Sequence, residues 1–277
     1  MNNMDNLQSY DKVEYYQAHE LSDEELHKYC SLKMETAQPN LEFIEKEIFS
    51  KGGGVIEPLD ICEIGGGNGK LLFSLEKRGL LRTGINYEIS QSRCDLAKRF
   101  AKLLSCSNVE IKNCNFLDDE TKKDQFDCII MVDIVWQLIS PLYDFAQQDM
   151  LRWLKAALKQ DGYLFIEIID YSDVMQRIEK EGILRTWIEF PEGDPFQYSL
   201  DKFSIDPDNN LVCEKFFIGR NNHVRDYFKN VIRSYSKEEI TQILTKNGFD
   251  SRIYPCYDET LPEIERNSTF RILARKL

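Results

Sequence analysis

The sequence lacks several features that would assign it to large classes of protein. No apolar run reaches the roughly 20 residues that a membrane-spanning helix needs, and no basic-then-apolar signal segment opens the chain. The eight cysteines include no CxxC pair, and several lie in apolar runs where a thiol packs as a small hydrophobic group. We therefore expect a cytoplasmic protein with no membrane association, no disulfide framework and no bound metal.

Basic residues are in the minority. The 35 lysines and arginines are outnumbered by 47 aspartates and glutamates, which gives a net charge of -12. Because nucleic-acid phosphates repel an acidic surface, we expect a small-molecule substrate and no nucleic-acid partner. A chain of 277 residues with 42% hydrophobic residues can bury its own core. Nothing in the sequence predicts an oligomeric state.

Strand-like and helix-like segments alternate along the middle of the chain. Such alternation predicts an α/β fold of the doubly wound kind, with a mostly parallel sheet between two layers of helices. A turn of sequence Asp-Pro-Asp-Asn-Asn between two aromatic-rich runs, residues 196–205 and 211–218, predicts an inserted β-hairpin. We expect an N-terminal helical cap (1–54), a core (55–170), an insertion that covers the substrate (171–235) and a C-terminal helix with two strands (236–277).

A glycine-rich turn follows the first predicted strand of the core. Gly65, Gly66, Gly67 and Gly69 allow the backbone to turn tightly and to approach a ligand closely, although such a cluster also occurs in plain loops. Lys70 stands where a dinucleotide-binding motif requires its third glycine. Leucine follows Lys70 where a P-loop requires serine or threonine, so neither motif matches.

The pattern Glu63-x-Gly65-x-Gly67-x-Gly69 resembles the first motif of the class I S-adenosylmethionine-dependent methyltransferase family. The resemblance covers residues 59–169, where further motifs follow in the family's order, and is weaker at the C-terminus. It implies a Rossmann-like, seven-stranded sheet with one antiparallel member and S-adenosyl-L-methionine as the cofactor. It also implies a set of cofactor-binding residues, namely Tyr16, Glu63, Gly65, Gly67, Glu88, Asn115, Phe116, Val132 and Asp133.

The resemblance suggests a role for each of these residues. Glu63 is expected at the amino end of the methionine part, and Glu88, at the end of the second strand, at both hydroxyls of the ribose. Asn115 and Phe116 are expected around the adenine ring, although asparagine replaces the commoner aspartate. Tyr16 belongs to a segment that resembles the tyrosine-bearing lid of small-molecule members. The alternative is an amphipathic helix that packs its aromatic residues on the core.

The methyl acceptor is less clearly indicated. His223 lies between Arg220 and Arg225, so the histidine could deprotonate a hydroxyl while the arginines hold an anionic group; an ordinary exposed loop histidine is the alternative. Asp133 is a second candidate for a base or ligand, with helix capping as its alternative. Gln137 and Tyr10 are further candidates for contact with the substrate.

The region after the fourth strand also bears on the acceptor. It reads Val-Asp-Ile-Val and lacks the Asn/Asp-Pro-Pro-Tyr/Phe motif of many methyltransferases that act on nucleic-acid or protein amides. The leading hypothesis is therefore methyl transfer, at oxygen, to a small polar metabolite, with phosphate, sugar or carboxylate compounds considered. The alternatives are N-methylation of a small amine or of a macromolecule, and a non-catalytic protein that binds the cofactor.

Overall fold

Two β-sheets organise the part of the chain that the computed structural model describes, which is residues 11–49, 57–120, 123–220, 225–256 and 268–277. The larger sheet has the strand order β10-β11-β5-β4-β1-β2-β3. Strand β11 runs antiparallel to both of its neighbours, whereas β1 to β5 pair in parallel. The predicted seven-stranded, mostly parallel sheet with one antiparallel member is confirmed. Its strands are β1 (Leu59–Ile64), β2 (Leu81–Glu88), β3 (Val109–Asn113), β4 (Phe126–Met131), β5 (Leu158–Ile169), β10 (Phe249–Pro255) and β11 (Thr269–Lys276).

Helices cover both faces of this sheet, where they bury two separate apolar clusters. Two helix starts differ in their capping. Ser90 caps one helix by accepting a hydrogen bond from the backbone N–H of Arg93, whereas Gly69 begins another in the left-handed conformation. The described helices are α1 (Tyr15–His19), α2 (Asp23–Thr36), α3 (Gln38–Ile44), α4 (Lys70–Lys77), α5 (Gln91–Leu104), α6 (Val135–Ile139), α7 (Ala146–Ala157), α8 (Ser172–Glu181) and α9 (Lys237–Lys246).

One turn-like sequence lies within a strand. Helix α7 ends at Ala157 and β5 begins at Leu158, so the sequence Gln-Asp-Gly at residues 160–162, which is typical of a turn, belongs to β5. Asp161 there has a φ of 64°, and the pairing of β4 with β5 shifts between Phe126 and Cys128. The turn residues therefore produce an irregularity within the strand pair.

The smaller sheet is antiparallel, with strands β6 (Leu184–Glu189), β7 (Phe196–Ile205), β8 (Leu211–Gly219) and β9 (Arg225–Ile232) in that order. Strands β7 and β8 form the predicted hairpin. In its turn, the Asp206 carboxylate accepts hydrogen bonds from the backbone N–H groups of Asp208 and Asn210, at 3.0 and 2.8 Å. Strands β6 and β9 were not predicted, and they widen the hairpin into a four-stranded layer.

The N-terminal helices are held against the larger sheet's helix α5. Residues 11–14 lie over its first turn, where the backbone N–H of Ser92 donates to the Asp11 carbonyl at 3.1 Å. The Arg99 guanidinium donates to the carbonyls of Ala18 and Leu21 at 2.9 and 3.0 Å. These bonds place the start of the cap beside the carboxyl ends of β1 and β2. No helix in the described ranges is long and apolar enough to cross a membrane.

Candidate active site

The glycine turn joins β1 to α4 at the carboxyl edge of the parallel sheet. Gly65, Gly67 and Gly69 have φ angles of 67°, 55° and 76°, which side-chain-bearing residues rarely adopt. A Cβ atom on Gly65 would lie 2.6 Å from a methyl carbon of Val135. Both the backbone conformation and the lack of space therefore require glycine here. Ligands of open parallel sheets bind at this edge.

Glu88 lies at the end of β2, directly beside the turn. Its buried carboxylate accepts hydrogen bonds from the backbone N–H groups of Gly67 at 3.0 Å and Ser90 at 2.8 Å. A carboxylate offers about four lone-pair positions, so two remain for further donors. Because both oxygens are anchored by backbone groups, the side chain is preorganised to accept a pair of hydroxyls.

Glu63, at the end of β1, is buried, and its Oε2 atom has no hydrogen-bond partner. Burial raises the pKa of this carboxyl to about 8, although the nearby Lys70 ammonium acts in the opposite direction. A buried acceptor without a donor is unfavourable. The site therefore suits a ligand that brings a positively charged donor such as an amino group, which is the group that the resemblance assigns to Glu63.

A chain of charged side chains extends from this turn across the sheet. Lys70 lies 3.5 Å from the carboxylate of Asp133, whose φ of 54° is left-handed, and lowers the pKa of that carboxyl. The backbone N–H of Asp133 donates to the carboxylate of Glu167 on β5. Glu167 in turn faces Arg271 on β11, with Nε and Oε2 3.5 Å apart. Burial, together with the Asp133 charge, raises the pKa of Glu167.

A second group of charges connects the N-terminal helices to the same edge. Glu14 accepts a hydrogen bond from the Tyr29 hydroxyl at 2.6 Å and pairs with Arg93 of α5 at 3.3 Å. Burial tends to raise the pKa of Glu14, but Arg93 and Lys33 outweigh it and lower the pKa. Lys33 also pairs with the buried carboxylate of Asp194, in the loop between β6 and β7, at 3.4 Å. The N-terminal cap, the carboxyl edge of the parallel sheet and the small sheet thus meet around one charged region.

Asp226 on β9 faces this region from the small sheet. Burial raises the pKa of its carboxyl, whereas Arg93 lowers it. The neighbouring positions on the same face are aromatic: Phe217 pairs opposite Asp226, and the rings of Phe217 and Phe228 stack with their centroids 5.3 Å apart. A carboxylate beside aromatic rings is a favourable environment for a cation.

The charges of this region do not balance. In the described residues, each of the four basic side chains pairs with an acid: Arg93 with Glu14, Lys33 with Asp194, Lys70 with Asp133 and Arg271 with Glu167. The three carboxyl groups that remain, and for which the structure shows no ion pair, are Glu63, Glu88 and Asp226. The described part of the site therefore carries a surplus of negative charge, to which Glu63 contributes only after it loses its proton. No described group of His, Cys, Asp or Glu side chains is arranged to hold a metal ion.

Several residues predicted from the resemblance are packed in the core. Phe116 is buried, with its ring 5.0 Å from that of Trp153, and the Asn115 side chain caps a short helical turn by accepting from the Leu117 backbone at 3.1 Å. Val132 is buried in the cluster on the other face of the sheet, and Tyr16 packs, half-buried, against the cluster formed by α1, α2 and α5. Their contacts with adenine or methionine stay predictions.

Two residues predicted to contact the substrate, Gln137 and Arg220, form hydrogen bonds within the protein. Gln137 is fully buried; its amide donates to the carbonyls of Ile169 and Arg233 and accepts from the Ile169 backbone, all within 3.0 Å. Both polar atoms of that amide are hydrogen-bonded within the protein, and its contact with substrate stays a prediction. Arg220 likewise donates to the backbone carbonyls of the loop that contains Asp194. Tyr10, His223 and the side chain of Arg225 lie outside what the structure describes.

Sequence reasoning missed Glu14, Lys33, Arg93, Glu167, Asp194, Asp226 and Arg271, and used Lys70 only to exclude other motifs. A signal was present for one of them, since Glu167 is a single acid within the otherwise apolar strand end Phe-Ile-Glu-Ile-Ile. The exposed Ile89, which directly follows Glu88, is another apolar group at this edge that the motifs did not identify.

Comparisons with known proteins agree with this architecture. Residues 26–252 match the model of a family described as a methyltransferase domain. An S-adenosylmethionine-dependent methyltransferase from Clostridium acetobutylicum is similar in structure, with a TM-score of 0.63, 15% sequence identity and 96% of each chain covered. The CcbJ methyltransferase of Streptomyces caelestis has a TM-score of 0.62 and 15% identity, with 87% of this chain and 89% of that chain covered.

A third similar structure contains the cofactor. It is S-adenosylmethionine-bound CalS10, an amino pentose methyltransferase of Micromonospora echinaspora, with a TM-score of 0.59, 10% identity, and 95% of this chain and 94% of that chain covered. At these identities the likeness extends to the fold. Comparison with curated proteins returns no match.

Proposed function

The chain belongs to the methyltransferase-domain family and is a class I S-adenosylmethionine-dependent methyltransferase, and we propose that it transfers the methyl group to the amine of a small polar molecule. The observation that carries the proposal is the third carboxyl group, Asp226, which faces the charged region and forms no ion pair with the side chains that the structure describes. Glu63 and Glu88 are suited to the cofactor, which leaves Asp226 for the acceptor.

The cofactor supplies a methyl group on a positively charged sulfur, which is transferred by in-line displacement. The residues that would hold it are Glu63 toward the amino group and Glu88 toward the ribose hydroxyls, with Gly65 and Gly67 giving the backbone close approach. The protein's contribution to such a displacement is orientation and exclusion of water, worth up to about 7–11 kcal/mol in favourable cases.

Asp226 supports an amine as the acceptor for electrostatic reasons. Its carboxylate attracts the amine in its ammonium form and can accept the proton that the nitrogen must lose before its lone pair attacks the methyl carbon. The stacked rings of Phe217 and Phe228 on the same face favour the cationic form further. An anionic acceptor would meet the negative surplus described above. Of the two arginines expected to hold such an anion, Arg220 already donates to three carbonyls, and the side chain of Arg225 lies outside what the structure describes. The N-methylation alternative therefore fits the described site better than O-methylation of an anion.

A small acceptor fits better than a macromolecule. The net charge of -12 disfavours a nucleic-acid partner. The cap and the small sheet meet at the Lys33–Asp194 pair, in the charged region that Asp226 faces, and both elements are available to contact a small acceptor there.

An acceptor panel tests the proposal. Purified protein is incubated with S-adenosylmethionine and small compounds matched in carbon skeleton, each carrying an amine, an alcohol or a carboxylate, and the products are identified by mass spectrometry. Amino sugars come first, because one structurally similar protein is an amino pentose methyltransferase. We expect transfer to the amines, and transfer only to alcohols or carboxylates would contradict the proposal. Cofactor binding without any transfer would support the non-catalytic alternative.

The role of Asp226 has its own variant. Asp226→Asn keeps the size of the side chain and removes the charge, so the KM for the amine should rise about 10- to 100-fold, the equivalent of one charge-assisted hydrogen bond. The Kd of the cofactor should change little. Asp208→Asn, at an exposed position in the β7–β8 turn, is the matched control and should leave both constants unchanged. An unchanged KM in Asp226→Asn would remove Asp226 from the acceptor site.

A further inference from the structure

The outer face of the small sheet carries an exposed apolar row. Trp187, Leu200, Phe216 and Tyr227 lie directly opposite one another on β6, β7, β8 and β9, so their side chains project from the same face. Their exposed fractions are 60%, 49%, 39% and 48%. The ring of Tyr198 lies 5.6 Å from that of Trp187 and extends the row. The opposite face of the same sheet is the one directed at the site around Asp226.

The exposed area of this row is comparable with that of the apolar centre of a protein interface. Aromatic side chains offer about 150–250 Å² each, so the exposed fractions amount to a patch on the order of 400 Å², within the range of functional patches on monomers. A stable interface buries roughly 800 Å² on each partner, with an apolar centre and a polar rim. The four side chains supply about half of that area, and the polar rows beside them supply a rim.

The charges beside the row differ in sign from the net charge of the chain. The neighbouring row contains three basic residues and one acidic residue, namely Arg185, Lys202, Glu214 and Lys229. Two copies of a chain with a net charge of -12 repel each other. This face has no excess of acidic residues, so it does not add to that repulsion. Lys202 and Glu214 already pair at 2.6 Å, and they occupy the two central strands.

We propose that this face binds the same face of a second copy of the chain. A two-fold axis along the strand direction, between β7 and β8, would set Leu200 against Phe216 of the second copy and Lys202 against Glu214. Apolar then meets apolar, and basic meets acidic, as an isologous interface requires. Two sheets that pack face to face lie about 10 Å apart, with their strand directions rotated by roughly 30°. This rotation separates Arg185, at one corner of the face, from Lys229 of the second copy.

Sedimentation velocity over a range of protein concentrations tests the proposal. The unmodified chain should form a dimer, and Phe216→Glu should convert it to a monomer by placing a charge at the centre of the face. Phe145→Glu, which adds the same charge at an exposed aromatic residue preceding α7, is the control and should remain dimeric. A chain that stays monomeric at the highest concentration, or a dimer that both variants leave intact, would overturn the proposal.

Tryptophan emission gives a second, independent measurement. Of the three tryptophans, Trp136 and Trp153 are 0% and 6% exposed, so Trp187 dominates the response to solvent. Dilution of the dimer should shift the emission to the red and increase quenching by iodide, and neither change should occur in Phe216→Glu. Dimer formation with no protection of Trp187 would place the interface on another face. Neither measurement depends on the methyl acceptor.

Discussion

Replacing Glu88 with alanine should weaken cofactor binding by about 100-fold or more. Hydrogen bonds to a charged group contribute about 1.5–3 kcal/mol each, and two ribose hydroxyls on one carboxylate amount to about 3 kcal/mol at the low end, or a factor of about 100. The structure supports this role because the carboxylate is held in place by Gly67 and Ser90 with acceptor positions to spare. Titration calorimetry with the demethylated cofactor measures the change.

The Glu88 variant needs controls, because the same carboxylate also satisfies two backbone N–H groups. Glu88→Gln preserves the shape and one acceptor oxygen, so it should fold and bind with an intermediate affinity. Glu110→Ala, at an exposed glutamate of the neighbouring strand β3, should bind as the unmodified chain does. Denaturant titration of each variant separates a loss of stability from a loss of binding. Full affinity in a folded Glu88→Ala protein would remove the ribose assignment.

Cofactor affinity should rise with pH between 6 and 7.5. The pKa of Glu63 in the free protein is raised to about 8, so the carboxyl is mostly protonated in this window. It must lose that proton to hold the cofactor's ammonium group, and binding then releases a proton, which raises affinity by up to about tenfold per pH unit. This pH range ends below pH 7.7–8.0, roughly the range in which an α-amino group loses its own proton.

The raised pKa of Glu63 also determines how the stability of the folded protein changes with pH. The folded protein holds the Glu63 proton more tightly than the unfolded chain does, so this contribution to stability is complete below pH 4.5 and is lost as pH rises through about 8. Calorimetry in buffers of different ionisation enthalpy counts the proton released on binding. Glu63→Gln should abolish both the proton release and the pH dependence. A pH-independent affinity in the unmodified chain would show that Glu63 does not hold the amino group.

Local features of the fold were predictable from the sequence. The glycine turn, the strand ends at Glu63 and Glu88, and the β7–β8 hairpin each depend on residues within about ten positions of one another, so turn chemistry and apolar runs identify them. Strands β6 and β9 were missed because some of their exposed positions carry aromatic residues, such as Trp187 and Tyr227, which a sequence pattern interprets as buried. Which residues of these strands are exposed depends on which face of the small sheet is left uncovered.

The charge pairs of the site could not be predicted in the same way. Glu167 and Arg271 are directly opposite in β5 and β11 but lie far apart in the sequence, and only the order of the sheet brings them together. The same holds for Lys33 of the cap and Asp194 of the small sheet. Sequence reasoning instead assigned roles to Gln137 and Arg220 because of their position after a strand and beside a histidine. Their hydrogen bonds to backbone carbonyls involve residues distant in the sequence, so only the folded chain shows them.

The most direct test of the central claim is titration of the unmodified chain with S-adenosylmethionine by calorimetry. The site at the ends of β1 and β2 predicts one molecule bound per chain, displaced competitively by the demethylated product. Absence of binding, or binding with the same affinity in Glu63→Gln and Glu88→Ala, would contradict the location of the cofactor site.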